Sequence, residues 1–252
     1  MITAKNSEGL TEELFGSKLH FNEEEHKYSL GDKTFISVTE FIGKFFPKFE
    51  QETEAELYSQ RLLNKGIEKT KEEILETWNN KRDYGSDVHN RIESYLCNPS
   101  AINLPPQDEM DIVKTALSVV RGLHLLHRTK AIYPEAKVYN THFGIAGTID
   151  LLMIDENNNI LLGDWKTSNT IYTGNKKHDT HEVTKDLSNS NYIKYCLQLN
   201  TYRELLRLSG RKVGKMYLIH IKPEGGVDPV KIYDVPDFTA VVNKMLEEHK
   251  ND

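Results

Sequence analysis

Residues 131–168, AIYPEAKVYNTHFGIAGTIDLLMIDENNNILLGDWKTS, constrain the fold more than any other part of the chain. The segment is dense in β-branched and aromatic residues, and a cluster of turn formers at 155–159 divides its second half. It reads as three antiparallel strands. If Ile154 pairs with Ile160 across that turn, Asp150 falls directly opposite Asp164. Strict alternation then sets Asp150, Leu152 and Ile154 on one face with Ile160, Leu162, Asp164 and Lys166. In this register, which a slip of one residue would destroy, two carboxylates and an ammonium emerge where an apolar face ends.

Adjacent carboxylates repel, and burying them beside a core is costly unless a cation compensates. Magnesium favours oxygen ligands and retains waters that can be activated for attack. A lysine just past the second aspartate would lie beside such a water or beside a scissile phosphate. There it could orient the nucleophile, share its proton or offset charge on phosphoryl oxygens. An Asp-x-Lys sequence taken alone is more often a surface ion-pair cluster on a hairpin. GTID followed by GDWKTS, in the order strand, turn, strand, is the hairpin this chemistry requires.

The remainder supplies mostly helices. LHFN, HKYSL and KTFIS, separated by EEE and GD, predict short antiparallel strands, and Ser37 three residues before Glu40 predicts a capped helix through residue 46. Two or three helices are expected over 51–98, with Gly85 separating the last, and another over 107–128 after Pro105-Pro106. A polar stretch at 169–191, too long for a simple connection, contains Lys176, Lys177, His178, His181 and Lys185. It reads either as a solvated loop or as a lid. An amphipathic helix over 191–208, strands at 212–221 and 230–233, and a helix at 237–249 complete the pattern.

Composition narrows the classes. A net charge of −6 argues against a passive nucleic-acid coat but not against an enzyme that grips nucleic acid in a local groove. Two cysteines, Cys97 and Cys196, cannot hold an iron–sulfur cluster by themselves, argue against a disulfide framework and point to a reducing compartment. No apolar run suggests a membrane helix, residues 1–15 lack the character of a targeting segment, and no Walker-A pattern for ATP occurs.

Two helical motifs flank the hairpin. In GSDVHNRIESYL, His89 and Glu93 share a helix face, as a partly exposed ion pair or as functional groups. In YCLQLNTYRELL, Gln198 and Tyr202 lie one turn apart, and the neighbouring apolar positions could make Tyr202 simply a core residue.

With these motifs in this order, GIAGTIDLLMIDENNNILLGDWKTS resembles the core of the RecB-like branch of the PD-(D/E)XK nucleases, and its DWKTS form is similar to phage-type exonucleases and the mitochondrial genome maintenance exonuclease. Many members have Tyr and Gly where this chain has Trp165 and Ser168. The resemblance covers about residues 85–206. It implies an α+β fold with an α/β/α, restriction-endonuclease-like core: a central mixed sheet flanked by helices, with a helical N-terminal half. It implies one nuclease domain over 1–252, with strands and helices to 130 and the catalytic sheet from 131. Asp150, Asp164 and Lys166 would be catalytic, and His89, Asp150, Asp164 and the Trp165 backbone carbonyl would hold Mg²⁺, with Mn²⁺ a substitute. Thr167, Ser168, Gln198 and Tyr202 would contact nucleic acid, and Glu93 and Glu135 are further candidates. The expected activity is a DNA exonuclease of replication, recombination or repair, with a structure-dependent endonuclease or a silent DNA-binding module as alternatives. The expected partners are DNA and a recombination or replication protein, in a cytoplasmic setting of bacterial or phage-infected cells.

Overall fold

A computed structural model describes residues 4–22, 25–97, 111–174, 180–223 and 229–251. Helix α1 (Ser7–Phe15) precedes strands β1 (His20–Asn22), β2 (Lys27–Leu30) and β3 (Lys33–Ser37). Helices α2 (Val38–Gly43), α3 (Gln51–Leu63), α4 (Lys71–Cys97) and α5 (Asp111–His127) lead into β4 (Thr129–Asn140), β5 (Ile145–Asp155) and β6 (Ile160–Lys166). Then come α6 (Asn191–Leu208), β7 (Val213–Ile221), β8 (Val230–Asp234) and α7 (Thr239–Asn251). The fold is α+β, a mixed sheet with helices on both faces and a helical N-terminal half. No helix among the described residues is long and apolar enough to cross a membrane.

Strand β5 organises the sheet. One edge pairs antiparallel with β4 over most of its length. The other edge is shared: β3 runs parallel to it at Ile36↔Ile145 and Ser37↔Ala146, and β6 pairs antiparallel from Leu151↔Gly163 to Ile154↔Ile160. Between them, residues 147–150 of that edge carry no strand. The sheet continues through β7, parallel to β6, and β8. The β5–β6 turn closes because the Asp155 carboxylate accepts the Asn157 and Asn159 backbone N–H groups at 2.8 Å, with Asn158 at φ 63°.

Each sheet face buries its own core. Leu152, Ile160 and Leu162 pack with α2, α6 and α7 through Phe41, Leu199, Leu205 and Met245. On the opposite face Leu151, Met153, Leu161 and Trp165 pack with Val88 and Ile92 of α4 and with Val113, Leu117 and Val120 of α5.

Several expectations change. Gly85 does not separate two helices: α4 runs unbroken through it. A Cβ there would sit 3.2 Å from Thr167 Oγ1, so glycine lets the helix approach the end of β6, which outweighs its modest helix penalty. Helix α2 is short, ending at Gly43 rather than 46, although Ser37 caps it as expected by accepting the Glu40 N–H at 3.0 Å. Helix α6 is not amphipathic but buried nearly all round, with Asn200, Thr201 and Glu204 inside as well as its leucines. Helix α1 was not anticipated, though Asn6 at its start and Gly16 at φ 82° past its end are ordinary boundary signals. The first residues expected in the 107–128 helix, and Lys176, Lys177 and His178 of the polar stretch, lie outside the described residues.

Candidate metal centre and its cleft

The hairpin register is the expected one: Ile154 pairs with Ile160, and the ladder runs to Leu151↔Gly163. There it stops, one position short of Asp150 and Asp164. The Trp165 backbone N–H instead donates to Asp150 Oδ2 at 2.9 Å, so the aspartate side chain takes over where the strands part.

Strict alternation fails at this point. Ile149 packs in the same core as Leu152, so the facing of β5 slips by one between them, and Asp150 falls in the slip. Strand β4 does the same: Tyr133 and Ala136 share that core, with Glu135 between them. Pro134↔Leu151 and Ala136↔Ile149 keep one register on either side, so a single residue of each strand, Glu135 and Asp150, is bypassed together. Glu135 adopts φ 49°, a left-handed conformation uncommon for a glutamate, and Pro134 beside it has no N–H to give a ladder. The expectation that Asp150 shares a face with Leu152 and Ile154 is therefore corrected. Asp150 turns toward α4, where His89 Nδ1 lies 3.5 Å from its Oδ2.

His89, Glu135 and Asp150 each offer a ligand atom, all within 4.8 Å of one another, a spacing suited to a cation. Of the two further candidates from sequence, Glu135 belongs to this group, whereas Glu93 stands outside it. Burial, then the charges of Asp150, Glu93 and Asp164, push the Glu135 carboxyl up to about 9. Two carboxylates so arranged, with the charges of Glu93 and Asp164 acting on them, are a poor protein interior unless positive charge joins them.

Asp164 and Lys166 stand beside this group. Asp164 is 2% exposed, and Lys166 Nζ lies 2.7 Å from its Oδ2, which nonetheless has no aligned hydrogen bond. Burial pushes Asp164 up to about 6, opposed by Lys166 and reinforced by Asp150. Burial acts against the Lys166 charge too, but Asp164 and Asp150 hold its ammonium above the usual value. Its Nζ also lies 4.4 Å from the centre of the Tyr195 ring on α6, a cation–π contact. A buried carboxylate oxygen lacking a hydrogen-bond donor, next to a group of convergent acids and an imidazole, fits a divalent cation better than a closed ion pair.

An open cleft of about 1750 Å³ leads to the group, and His89, Glu135, Trp165, Lys166, Gln198 and Tyr202 are among its lining residues. Thr167 and Ser168 line it as well. The Ser168 hydroxyl donates to the Thr170 carbonyl at 3.2 Å, and Gln198 Nε2 donates to the Tyr202 hydroxyl at 3.0 Å. Tyr202, 3% exposed, is a core residue that also lines the cleft.

Three residues escaped the sequence reading. Tyr28 of β2 lines the cleft and shares a 2.9 Å hydrogen bond with Thr148. Tyr195 was visible only as an apolar helix position. His220 of β7, opposite Lys166 in the parallel ladder, is buried and meets the Ser168 carbonyl through Nε2. No local pattern marks His220, since its partner lies on another strand.

No protein-family model matches the chain. Over 94 residues, 37% of the chain, it is 34% identical to a component of the ATP-dependent helicase/nuclease of Carboxydothermus hydrogenoformans. The chain spans about 7% of the length of that curated relative. Among solved structures it is similar to SSO0001, with 15% identity and a TM-score of 0.37 over 85% of this chain and 74% of that one. It is also similar to a Eubacterium rectale protein suggested to be an exonuclease, with 13% identity and a TM-score of 0.43 over 86% of this chain and 78% of that one. At these scores the structural likeness is loose.

Proposed function

We propose that this chain is a divalent-metal-dependent nuclease that hydrolyses phosphodiester bonds in DNA as a RecB-like PD-(D/E)XK exonuclease. The observation that carries the reading is the convergence of His89, Glu135 and Asp150 beside buried Asp164 and Lys166, at the end of an open cleft. The partial match to a helicase/nuclease component supports it on the nuclease side, since this chain has no Walker-A pattern.

His89, Glu135, Asp150 and Asp164, with the Trp165 carbonyl, would hold the cation. When bound, a divalent cation offsets the gathered acids, polarises a phosphodiester and makes water a competent nucleophile near neutral pH. The protein's own part is positional. Lys166, fixed between Asp164 and the Tyr195 ring, presents its ammonium where the attacking water or a phosphoryl oxygen would lie. Asp150 is oriented by the Trp165 N–H, so the ligand oxygen is set by the same strand that carries Asp164 and Lys166. Thr167, Ser168, Gln198 and Tyr202 would guide the substrate backbone along the cleft.

Hydrolysis of end-labelled linear DNA with Mg²⁺ or Mn²⁺ tests this against Asp164→Asn and Lys166→Ala. Each substitution should lower the rate by about a hundredfold or more. Equal rates in all three proteins would overturn the assignment. Covalently closed circular DNA should survive; its cleavage would move the reading to an endonuclease.

A further inference from the structure

Helix α3 and the part of α4 before Tyr84 form an arm that contributes no residue to either core. In α4 no side chain is buried between Ile74 and Val88, and α3 buries only Ala55. So long a helical span without a buried face is stabilised by little inside its own chain.

The arm carries an aromatic group. The Trp78 ring lies with its centroid 5.9 Å from that of Phe49 and 6.3 Å from that of Tyr58, and Phe49 and Tyr58 are themselves exposed. Trp78 lines the cleft, together with Lys81 and Arg82. The acids of the same stretch, Glu76, Asp83 and Asp87, do not line it. On a chain of net charge −6, Lys81 and Arg82 place two cations beside the aromatic ring on the cleft side of the arm, and Arg82, paired with Asp83 Oδ1 at 3.2 Å on the exposed surface, can exchange that partner for a phosphate. His89 continues the same helix eleven residues beyond Trp78, about 16 Å along the axis. That length matches about five nucleotides of stacked strand at about 3.4 Å each.

We propose that the cleft side of the arm is the track for a single polynucleotide strand leading to the acid group, with Trp78 stacking on a base and Lys81 and Arg82 contacting phosphates. The proposal rests on the nuclease reading for its choice of ligand, and extends it to residues the catalytic motifs do not include. An aromatic platform beside cations is the chemistry of sequence-tolerant single-strand binding. Single-stranded DNA complements both features of this surface: π-faces for Trp78 and phosphates for the two cations.

The chain reports on its own track. It contains two tryptophans; Trp165 is 1% exposed but adjoins the cleft, so a quench that an added strand causes in wild type and not in Trp78→Ala is assigned to Trp78. The full chain is titrated with oligo-dT of increasing length in EDTA, which stops turnover, while anisotropy of a labelled oligonucleotide gives affinity. Wild type should be quenched on binding, with affinity rising up to lengths that reach the arm. Trp78→Ala should weaken binding about tenfold and abolish the quench, whereas Trp78→Phe should keep most of the affinity. The double variant Lys81→Ala/Arg82→Ala, on exposed positions that leave folding intact, should lower the slope of log affinity against log salt by about 1.4. Binding without quenching in wild type, or unchanged affinity and salt slope in the variants, would overturn the track. If the chain binds and quenches but never hydrolyses DNA with metal present, the catalytic reading falls and the track stands. If it hydrolyses DNA while Trp78→Ala binds like wild type, the track alone falls.

Discussion

Gly147 is the position where a single methyl group should disturb the site from behind. A Cβ built there would lie 2.6 Å from Tyr202 Cε1, 3.2 Å from the Tyr202 hydroxyl and 3.1 Å from Val38 Cγ2. Ordinary carbon contacts need about 3.5–4.0 Å, so the Tyr202 ring must withdraw by about 1 Å. It has little room, because Tyr202 is 3% and Val38 1% exposed, and interiors are close-packed. Gly147 is not among the positive-φ glycines, so alanine suits the backbone and gains about 0.4–1 kcal/mol by stiffening the unfolded chain. With a contact as short as 2.6 Å the overpacking cost belongs to the upper part of the usual range, about 2–3 kcal/mol, leaving Gly147→Ala destabilised by about 1–2.6 kcal/mol. Urea unfolding should show the midpoint falling with an unchanged slope. A double-mutant cycle isolates the cause: with Tyr202→Leu in the background, Gly147→Ala should cost less than about 0.5 kcal/mol. Because Gln198 donates to the Tyr202 hydroxyl, the displaced ring should also shift the cleft-lining amide. A stability within about 0.5 kcal/mol of wild type, or the same cost in both backgrounds, would refute the reasoning.

Asn200, fully buried, donates to the Cys196 and Pro236 carbonyls at 2.8 and 3.0 Å and accepts from the Phe238 N–H at 2.8 Å. Asn200→Ala should therefore cost about 2–4 kcal/mol in urea unfolding, by orphaning groups that join α6 to the start of α7. Asp237, which accepts from the Thr239 N–H at 2.8 Å, is drawn down to about 2 by hydrogen bonds from Thr239 and Arg203. A depressed carboxyl stabilises above its unfolded value of about 3.9 and loses the effect as pH falls through about 2. Since this group is largely exposed, Asp237→Ala should cost only about 0.5 kcal/mol near pH 6, and unfolding curves of the two proteins should converge toward pH 2. Glu135→Gln should weaken Mn²⁺ binding by at least about tenfold in calorimetry without lowering the unfolding midpoint of the metal-free protein; equal Mn²⁺ affinity would remove Glu135 from the ligand set.

The hairpin was legible because its information is local. The turn at 155–159 and the pairing of Ile154 with Ile160 follow from residues close in sequence, and both stand in the structure. Gly85 misled because a glycine in a helical run signals a break, whereas here its reason is Thr167, eighty-two positions away. The burial of α6 was hidden for a related reason: Asn200, Thr201 and Glu204 read as a polar face until their partners are known, such as the Leu197 carbonyl for Thr201 and Arg207 for Glu204. Glu135 was faint because its importance depends on a backbone conformation, and φ 49° at a glutamate is not written in alternation.

That conformation also explains why the acids meet at all. Under unbroken alternation Asp150 would follow Leu152 and Ile154 toward α6 and lose His89, while Glu135 would follow Tyr133. Bypassing one residue in each strand turns both carboxylates together and keeps the flanking pairs in register. The arrangement costs a ladder position and a left-handed residue, about 1 kcal/mol or more for the backbone alone. It also buries carboxylates beside one another: burial first, and then the charge of Asp150, push the Glu135 carboxyl up to about 9. The irregularity falls at the two residues whose oxygens lie within 4.8 Å of His89, and a bound cation would turn the same repulsion into attraction.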